Sequence, residues 1–353
     1  MQGHNGDHQA LDGENSVVPA VFISWVRFHG RSDGLARALG IRAWFAPGAT
    51  LPHPKRYLSE WRQTAALLSA ERPEVLFVMQ PPIFALWSVW RYARRTGARI
   101  AGDLHTGIFD DPRWPWARRH TFRLLRKYGL AIVTNDALKA VVESHGCPAI
   151  SLHDLIEVRE LDLSPFDDAS VEPKAPFVLV PLAYDYDEPV RELLAAAAST
   201  ADVCWVLTGN PPRKVRRGAP TNVLFPGYVT NDDYARLMSR ANAILAVTKN
   251  EYTMQRAAYE ALSFGRPLVT SNTQVLTDYY ESAAEIVAPR SAAIAAGVVR
   301  ALSDETAVER MMALRTQKIG EQKTALNALR EWMRTGEVVV GSCSLTVEGS
   351  EAS

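Results

Sequence analysis

Cysteine is scarce in this chain. Its 353 residues include three, Cys147, Cys204 and Cys343, far apart and without the CxxC spacing of a metal or redox site. They read as free thiols of a reducing compartment. Excess charge is also missing: 39 basic residues face 39 acidic ones, which argues against a general nucleic-acid binder. No apolar run reaches the roughly 18 residues of a transmembrane helix. The start, Met1 to Asn15, is polar and lacks the apolar segment of a secretion signal. The expected location is therefore cytoplasmic. No GxGxxG follows the first strand, so a dinucleotide oxidoreductase loses its main support. No DxD occurs in a metal-like setting. Asp110-Asp111 and Asp167-Asp168 are adjacent pairs, and Asp185-Tyr186-Asp187 is the nearest pattern. No cofactor and no metal are expected.

What is present is alternation. Nearly half the residues, 47%, are apolar, enough for two domains of about 150 residues each. Short apolar strands are expected at Ala20–Trp25, Arg42–Phe45, Val75–Met79, Arg99–Gly102, Ala131–Thr134 and Ala149–Leu152. Helices lie between them, at Gly34–Leu39, Tyr57–Leu68, Phe84–Arg95, Trp116–Lys127 and Asp136–Ser144. The second half repeats the plan, with strands at Phe177–Pro181, Val203–Leu207, Asn222–Phe225, Ala243–Val247, Leu268–Thr270 and Glu285–Val287. Its helices are Glu188–Ala198, Asp232–Ser239, Thr253–Phe264 and Ser291–Leu302. Strands alternating with helices imply parallel sheets with right-handed crossovers. The fold class is α/β: two Rossmann-like doubly wound parallel-sheet domains facing across a cleft.

The expected division is a disordered tail at 1–16, a first domain at 17–161, a linker at 162–176 rich in Asp, Ser and Pro, and a second domain at 177–303. Helices at 304–335 would pack back across the junction through Trp332 and Met333, and 336–353 would be a tail.

The stretch Thr248 to Pro267 carries most information. After an apolar strand come a loop and a helix that ends at Gly265, with Pro267 beyond. Free N–H groups at a helix start form an anion site, which makes Thr253, Met254 and Gln255 candidates through their backbone. Glu260 would lie about two turns in, within reach of a ribose. Lys249, Arg213, Lys214 and Arg256 are the basic candidates for a diphosphate. Each has a plainer alternative as a solvated surface residue.

In the first half, Arg27-Phe28-His29-Gly30-Arg31-Ser32-Asp33-Gly34 follows the first strand. Gly30 allows close approach to a ligand, and Ser32 or Asp33 would cap the helix. A second loop, Asp103-Leu104-His105-Thr106-Gly107, ends a strand whose carboxyl end faces the cleft. Asp103, His105 and Thr106 supply a carboxylate, an imidazole and a hydroxyl within four residues, suited to acid/base and sugar-binding work. A structural role for either loop is the competing reading.

Taken together, the pieces Val206-Leu207-Thr208-Gly209, Val223 to Val229, Asp233-Tyr234, Ala243 to Thr248, Ala258-Tyr259-Glu260-Ala261-Leu262 and Gly265-Arg266-Pro267 resemble the nucleotide-sugar domain of family 4 of the retaining glycosyltransferases. They cover roughly residues 175–305. The resemblance implies a GT-B fold and transfer of a hexosyl-type sugar from a nucleotide diphosphate with retention. It assigns Glu260 to the ribose; Gly30, Gly209 and Tyr252 are further donor-side candidates beside Lys249 and Thr253 to Gln255. GT-B enzymes often put a His or Asp near the reacting sugar, which points to His105 as its orienter, or to Asp103 as base if the reaction inverts. The chain departs from the pattern twice. Tyr252 stands where a first glutamate is expected, with Glu251 one step off register. No basic residue occupies Ala183-Tyr184-Asp185-Tyr186-Asp187-Glu188, the loop after the first strand of the second domain.

The acceptor has one pointer. Trp87 and Trp90, then Trp114, Trp116, Arg118, Arg119 and Arg123, belong to basic, Trp-containing segments. Such helices can lie on an anionic membrane, suiting a lipid-linked or envelope-polysaccharide acceptor. The alternatives are an amphipathic core helix with its Arg in water, or a soluble anionic acceptor. Two other classes remain open. One is a nucleotide-sugar epimerase of the same fold. The other is a non-catalytic subunit of another transferase, favoured by Tyr252.

Overall fold

The computed structural model describes residues 18–47, 53–110, 115–340 and 343–345. The expectations for 1–16, for Trp114 and for the last residues, 346–353, lie outside the described residues.

The first half runs β1 (Ala20–Ser24), α1 (Gly30–Leu39), β2 (Arg42–Phe45), α2 (His53–Glu71), β3 (Val75–Gln80), α3 (Ile83–Thr96), β4 (Arg99–Leu104), α4 (Gly107–Asp110), α5 (Pro115–Tyr128), β5 (Gly129–Val133), α6 (Asp136–Glu143) and β6 (Ala149–Ser151). The second runs β7 (Phe177–Val180), α7 (Val190–Ala198), β8 (Cys204–Thr208), α8 (Arg213–Arg217), β9 (Val223–Gly227), α9 (Asn231–Arg240), β10 (Ala243–Ala246), α10 (Arg256–Phe264), β11 (Leu268–Ser271), α11 (Gln274–Tyr280), β12 (Glu285–Val287), α12 (Ser291–Ser303) and α13 (Ala307–Thr335). A two-stranded antiparallel ribbon follows, β13 (Val338–Val340) with β14 (Cys343–Leu345).

Two six-stranded sheets result, in the orders β2-β1-β3-β4-β5-β6 and β12-β11-β10-β7-β8-β9. The strand pairs within them are parallel. Helices cover both faces, which is why β3, β5 and β7 read as nearly unbroken apolar runs. Apolar clusters fill both sides of each sheet. The alternation expected from the sequence is present, strand for strand.

Helix α13 begins on the second sheet's helices and ends on the first domain. Met311 and Leu314 pack with α10, whereas Leu326, Leu329, Trp332 and Met333 pack with Phe22 and Phe77 beneath the first sheet. Trp332 is 1% exposed and meets Phe77 edge-on at 6.3 Å. Burying such a side chain stabilises by about 2–3 kcal/mol. Arg99 adds hydrogen bonds to the carbonyls of Trp332 and Met333.

Three local expectations are corrected. Helix α1 starts at Gly30, four residues early, because His29 rather than Ser32 or Asp33 caps it by accepting the Ser32 N–H. Helix α10 starts at Arg256, not Thr253. Asn250 Oδ1 takes the Tyr252 N–H at 3.0 Å, and Gln255 stays extended as the cap. Glu260 therefore lies about one turn into the helix, not two. The basic run 213–217 is a short exposed helix, with Arg216 stacked on Phe225 at 5.4 Å.

Candidate functional site

In open α/β sheets, ligands lie beyond the carboxyl ends of the strands where strand order reverses. The first sheet reverses at β1 and β3, and the second at β7 and β10. The loops that leave these strands contain most of the residues singled out from the sequence.

The first wall is built on Asp103. Its side chain is fully buried at the end of β4. Arg31 Nε donates to Oδ1 at 3.0 Å, and Oδ2 lies 3.1 Å from His105 Nε2. Arg31 is buried too, and it also donates to Asp154 Oδ1 at 3.0 Å and to the Leu152 carbonyl at 2.8 Å. Burial works to raise the Asp103 carboxyl. The Arg31 guanidinium and His105 outweigh it and hold the group well below the usual carboxylate range. His105 is half-buried and stands 4.7 Å from His29, edge to face. Thr106 follows at the start of a tight turn, where the Phe109 N–H donates to its carbonyl.

On the second wall, two loops are tied together. Thr248 Oγ1 donates to Asp187 Oδ2 at 2.8 Å, and the Lys249 N–H donates to the Asp187 carbonyl at 2.8 Å. Glu188 accepts from the Ala183 and Asp185 N–H groups at 3.1 and 2.9 Å, which shapes the loop that lacks a basic residue. At Gly209, φ is +87° and a Cβ would meet the Leu182 carbonyl at 2.0 Å, so only glycine lets these loops touch. Lys249 and Arg213 are exposed.

Glu260 accepts from Arg256 Nε at 2.8 Å and from the Tyr234 hydroxyl at 2.7 Å. Burial, then the Glu260 carboxylate, pushes the Tyr234 hydroxyl far above its ordinary value, so it stays a donor. Glu251 is occupied elsewhere: its carboxylate accepts the Gln274 N–H at 2.7 Å, at the start of α11. Thr253 and Met254 belong to the loop before α10, half-buried, and Gln255 Nε2 reaches the Val247 carbonyl at 3.5 Å.

The walls touch. A Cβ on Gly30 would lie 2.0 Å from Arg256 Nη1, so the guanidinium rests against bare backbone at the start of α1. Asn135 Nδ2 donates to the Tyr252 carbonyl at 3.4 Å, and the Tyr252 ring packs against the cores of both domains. Behind the cleft, His153 Nδ1 and the Tyr259 hydroxyl share a 2.9 Å hydrogen bond. Burial, then Arg31 and Lys318, lowers the His153 pKa to about 3.

Gly30 and Glu260 thus meet through Arg256, and His105 stands beside His29 with Asp103 behind it, while Lys249 and Arg213 are exposed. Sequence reasoning left out His29 and Arg31, and quoted Tyr234 without a role. No local signal marked the partnership of Arg31, because Asp103 lies 72 positions away. Among the described residues no group of three His, Cys, Asp or Glu could hold a metal ion.

Away from the cleft, α5 buries Ala117, Phe122, Leu124 and Leu125 and exposes Arg119, Arg123, Arg126 and Lys127. Trp87 and Trp90 are half-buried against the first core, with Arg94 over Trp90 at 5.4 Å. Arg118 is half-buried, whereas Trp116 is 57% exposed. No helix among the described residues is long and apolar enough to cross a membrane.

Residues 188–334 match a family model described as glycosyl transferase-like. No curated protein matches the sequence. Several solved structures share the fold. Sucrose-phosphate synthase from Thermosynechococcus elongatus superposes with a TM-score of 0.69 at 14% identity, covering 89% of this chain and 98% of that one. An Anabaena protein, HepE, in complex with UDP and glucose, gives 0.65 at 12% identity, over 90% and 99%. A putative UDP-N-acetylglucosamine 2-epimerase from Listeria monocytogenes gives 0.63 at 9% identity, over 91% and 97%.

Proposed function

We propose that this chain, which has the GT-B fold and carries a glycosyl transferase-like domain, moves a hexosyl-type sugar from a nucleotide diphosphate to an acceptor. The observation that carries the reading is Glu260. It stands about one turn into α10, held by Tyr234 and Arg256, with Arg256 reaching across to Gly30. A carboxylate fixed there would bind ribose hydroxyls, while Arg256 and the N–H groups at the start of α10 face a diphosphate. Gly30, Gly209, Thr253, Met254 and Gln255 would line the donor, with Lys249 and Arg213 adding charge from the rim.

No metal ion is required in this reading. The cationic side chain and the helix start offset charge that grows on the departing diphosphate. Asp103 is engaged on both oxygens, so it acts through His105 rather than as a base itself. His105 and Thr106 would meet the sugar. Retention is the outcome proposed, on the resemblance to family 4.

The acceptor proposed is a lipid-linked or envelope glycan at an anionic membrane surface, with the protein peripheral on its cytoplasmic side. Trp116 and the exposed Arg119 and Arg123 support this, since neither α3 nor α5 contains an acidic residue.

A calorimetric titration with UDP, GDP, ADP and dTDP tests the donor site. One nucleotide is expected to bind selectively, at least tenfold more weakly after Glu260→Ala. Binding of none would overturn the assignment and favour a non-catalytic subunit. The likeness to an epimerase motivates a second reading: isomerised sugar formed without any acceptor would establish it in place of transfer.

A further inference from the structure

His29 closes the first turn of α1 with its own ring. Nδ1 accepts the Ser32 N–H at 3.4 Å and lies 3.3 Å from Ser32 Oγ. A backbone N–H only donates, so Nδ1 carries a lone pair and the neutral ring holds its proton on Nε2. Burial, then the neighbouring His105, lowers the pKa to about 4, which keeps the ring neutral near pH 7.

His105 is set in the opposite sense. Its Nε2 faces Asp103 Oδ2, a carboxylate that Arg31 keeps ionised, so Nε2 is the donor in that bond. Among the described residues, neither His29 Nε2 nor His105 Nδ1 has a protein partner. The two rings stand together at the ends of β1 and β4, with centroids 4.7 Å apart.

Three features place an anion at His29 rather than at His105. The ring occupies the start of a ten-residue helix, where negative charge is favoured. It takes up the Ser32 N–H that the helix would otherwise present, and offers its own N–H further out. The next residue is Gly30, against which Arg256 lays its guanidinium. His105, backed by a carboxylate, faces the reacting sugar instead.

We propose that His29 Nε2–H donates a hydrogen bond to the terminal phosphate of the bound nucleoside diphosphate. The assignment rests on the donor site described above and adds a contact from the first domain to it. That contact is absent for a nucleoside monophosphate, so His29 would let the cleft tell the two apart.

Two substitutions separate the ring's tasks. Asparagine at 29 keeps an oxygen for the Ser32 N–H, as asparagine does at many helix starts, but removes the distal donor. Glutamine places an amide N–H near the position of Nε2. Titration uses whichever nucleoside diphosphate binds the wild type, and its monophosphate. His29→Asn is expected to weaken diphosphate binding tenfold or more while monophosphate affinity stays within twofold. His29→Gln is expected to recover most of the loss, with the melting temperature of His29→Asn near wild type. Unchanged diphosphate binding in His29→Asn overturns the assignment, as do equal losses of both nucleotides or a glutamine variant no better than asparagine. If Glu260→Ala weakens both nucleotides while His29→Asn weakens neither, the donor site stands and only His29 fails. Binding of no nucleotide by the wild type removes both.

Discussion

Arg31 and Asp103 form an ion pair at 3.0 Å with both side chains buried. The guanidinium also ties down Asp154 and the Leu152 carbonyl, so one side chain joins α1, the end of β4 and the start of the interdomain connection. Breaking such a pair from one side leaves a buried charge without compensation. Arg31→Met should lower stability by about 3–5 kcal/mol in denaturant unfolding. Adding Asp103→Leu to that variant should restore part of the loss. An additive double variant would show that the pair is not coupled.

Acid should destabilise the protein through histidines as well as carboxylates. His153 has its pKa lowered from 6.5 to about 3, so the folded protein resists a proton that the unfolded chain accepts. The unfolded state therefore binds more protons between these values, and stability falls as pH drops from about 6.5 towards 3. His29, lowered to about 4, acts in the same direction. Over the interval from pH 6.5 to 4, His153 alone should account for on the order of 3 kcal/mol. Stability measured at both pH values should show a smaller difference in His153→Gln; an identical difference would refute this.

Glu251 offers a control for the donor site. Its carboxylate serves the Gln274 N–H at the start of α11. Glu251→Ala should cost about 0.5–1 kcal/mol, as loss of a helix-start acceptor does, and leave nucleotide affinity within twofold. A tenfold loss of affinity would place Glu251 on the donor after all.

The basic face of α5 makes a separate prediction. Vesicles containing phosphatidylglycerol should bind the protein in flotation assays, and vesicles of phosphatidylcholine alone should not. Arg119→Glu with Arg123→Glu should abolish the binding, and 0.5 M salt should weaken it, since surface charges are screened within about 4–5 Å at that strength. Equal binding to both vesicle types would rule out the electrostatic contact.

The alternation of strands and helices was legible because a sheet covered on both faces needs apolar runs, which stand out from amphipathic helices. Element starts were less so. His29 is not among the residues that commonly cap a helix, so nothing nearby signalled that α1 begins at Gly30. The start of α10 was read too early because Thr253 to Gln255 look helical, whereas the side chain of Asn250 fixes a turn at 250–252 and Gln255 stays extended. Asp103, His105 and Glu260 stood out in the sequence as candidates at the end of β4 and within α10. Their partners gave no such signal, since Arg31 meets Asp103 and Tyr234 meets Glu260 only after the sheets are assembled.

Helix α13 has a bearing on how the chain can be handled. Its first turns complete the core of the second domain, and its last turns seal the underside of the first. Neither half is a self-sufficient module. A fragment ending near residue 160 would leave Phe22 and Phe77 without Trp332. A fragment starting near 177 would carry a helix whose final apolar face has nothing to cover. Exchange of domains between such proteins must therefore take the C-terminal helix from the parent that supplies the N-terminal sheet.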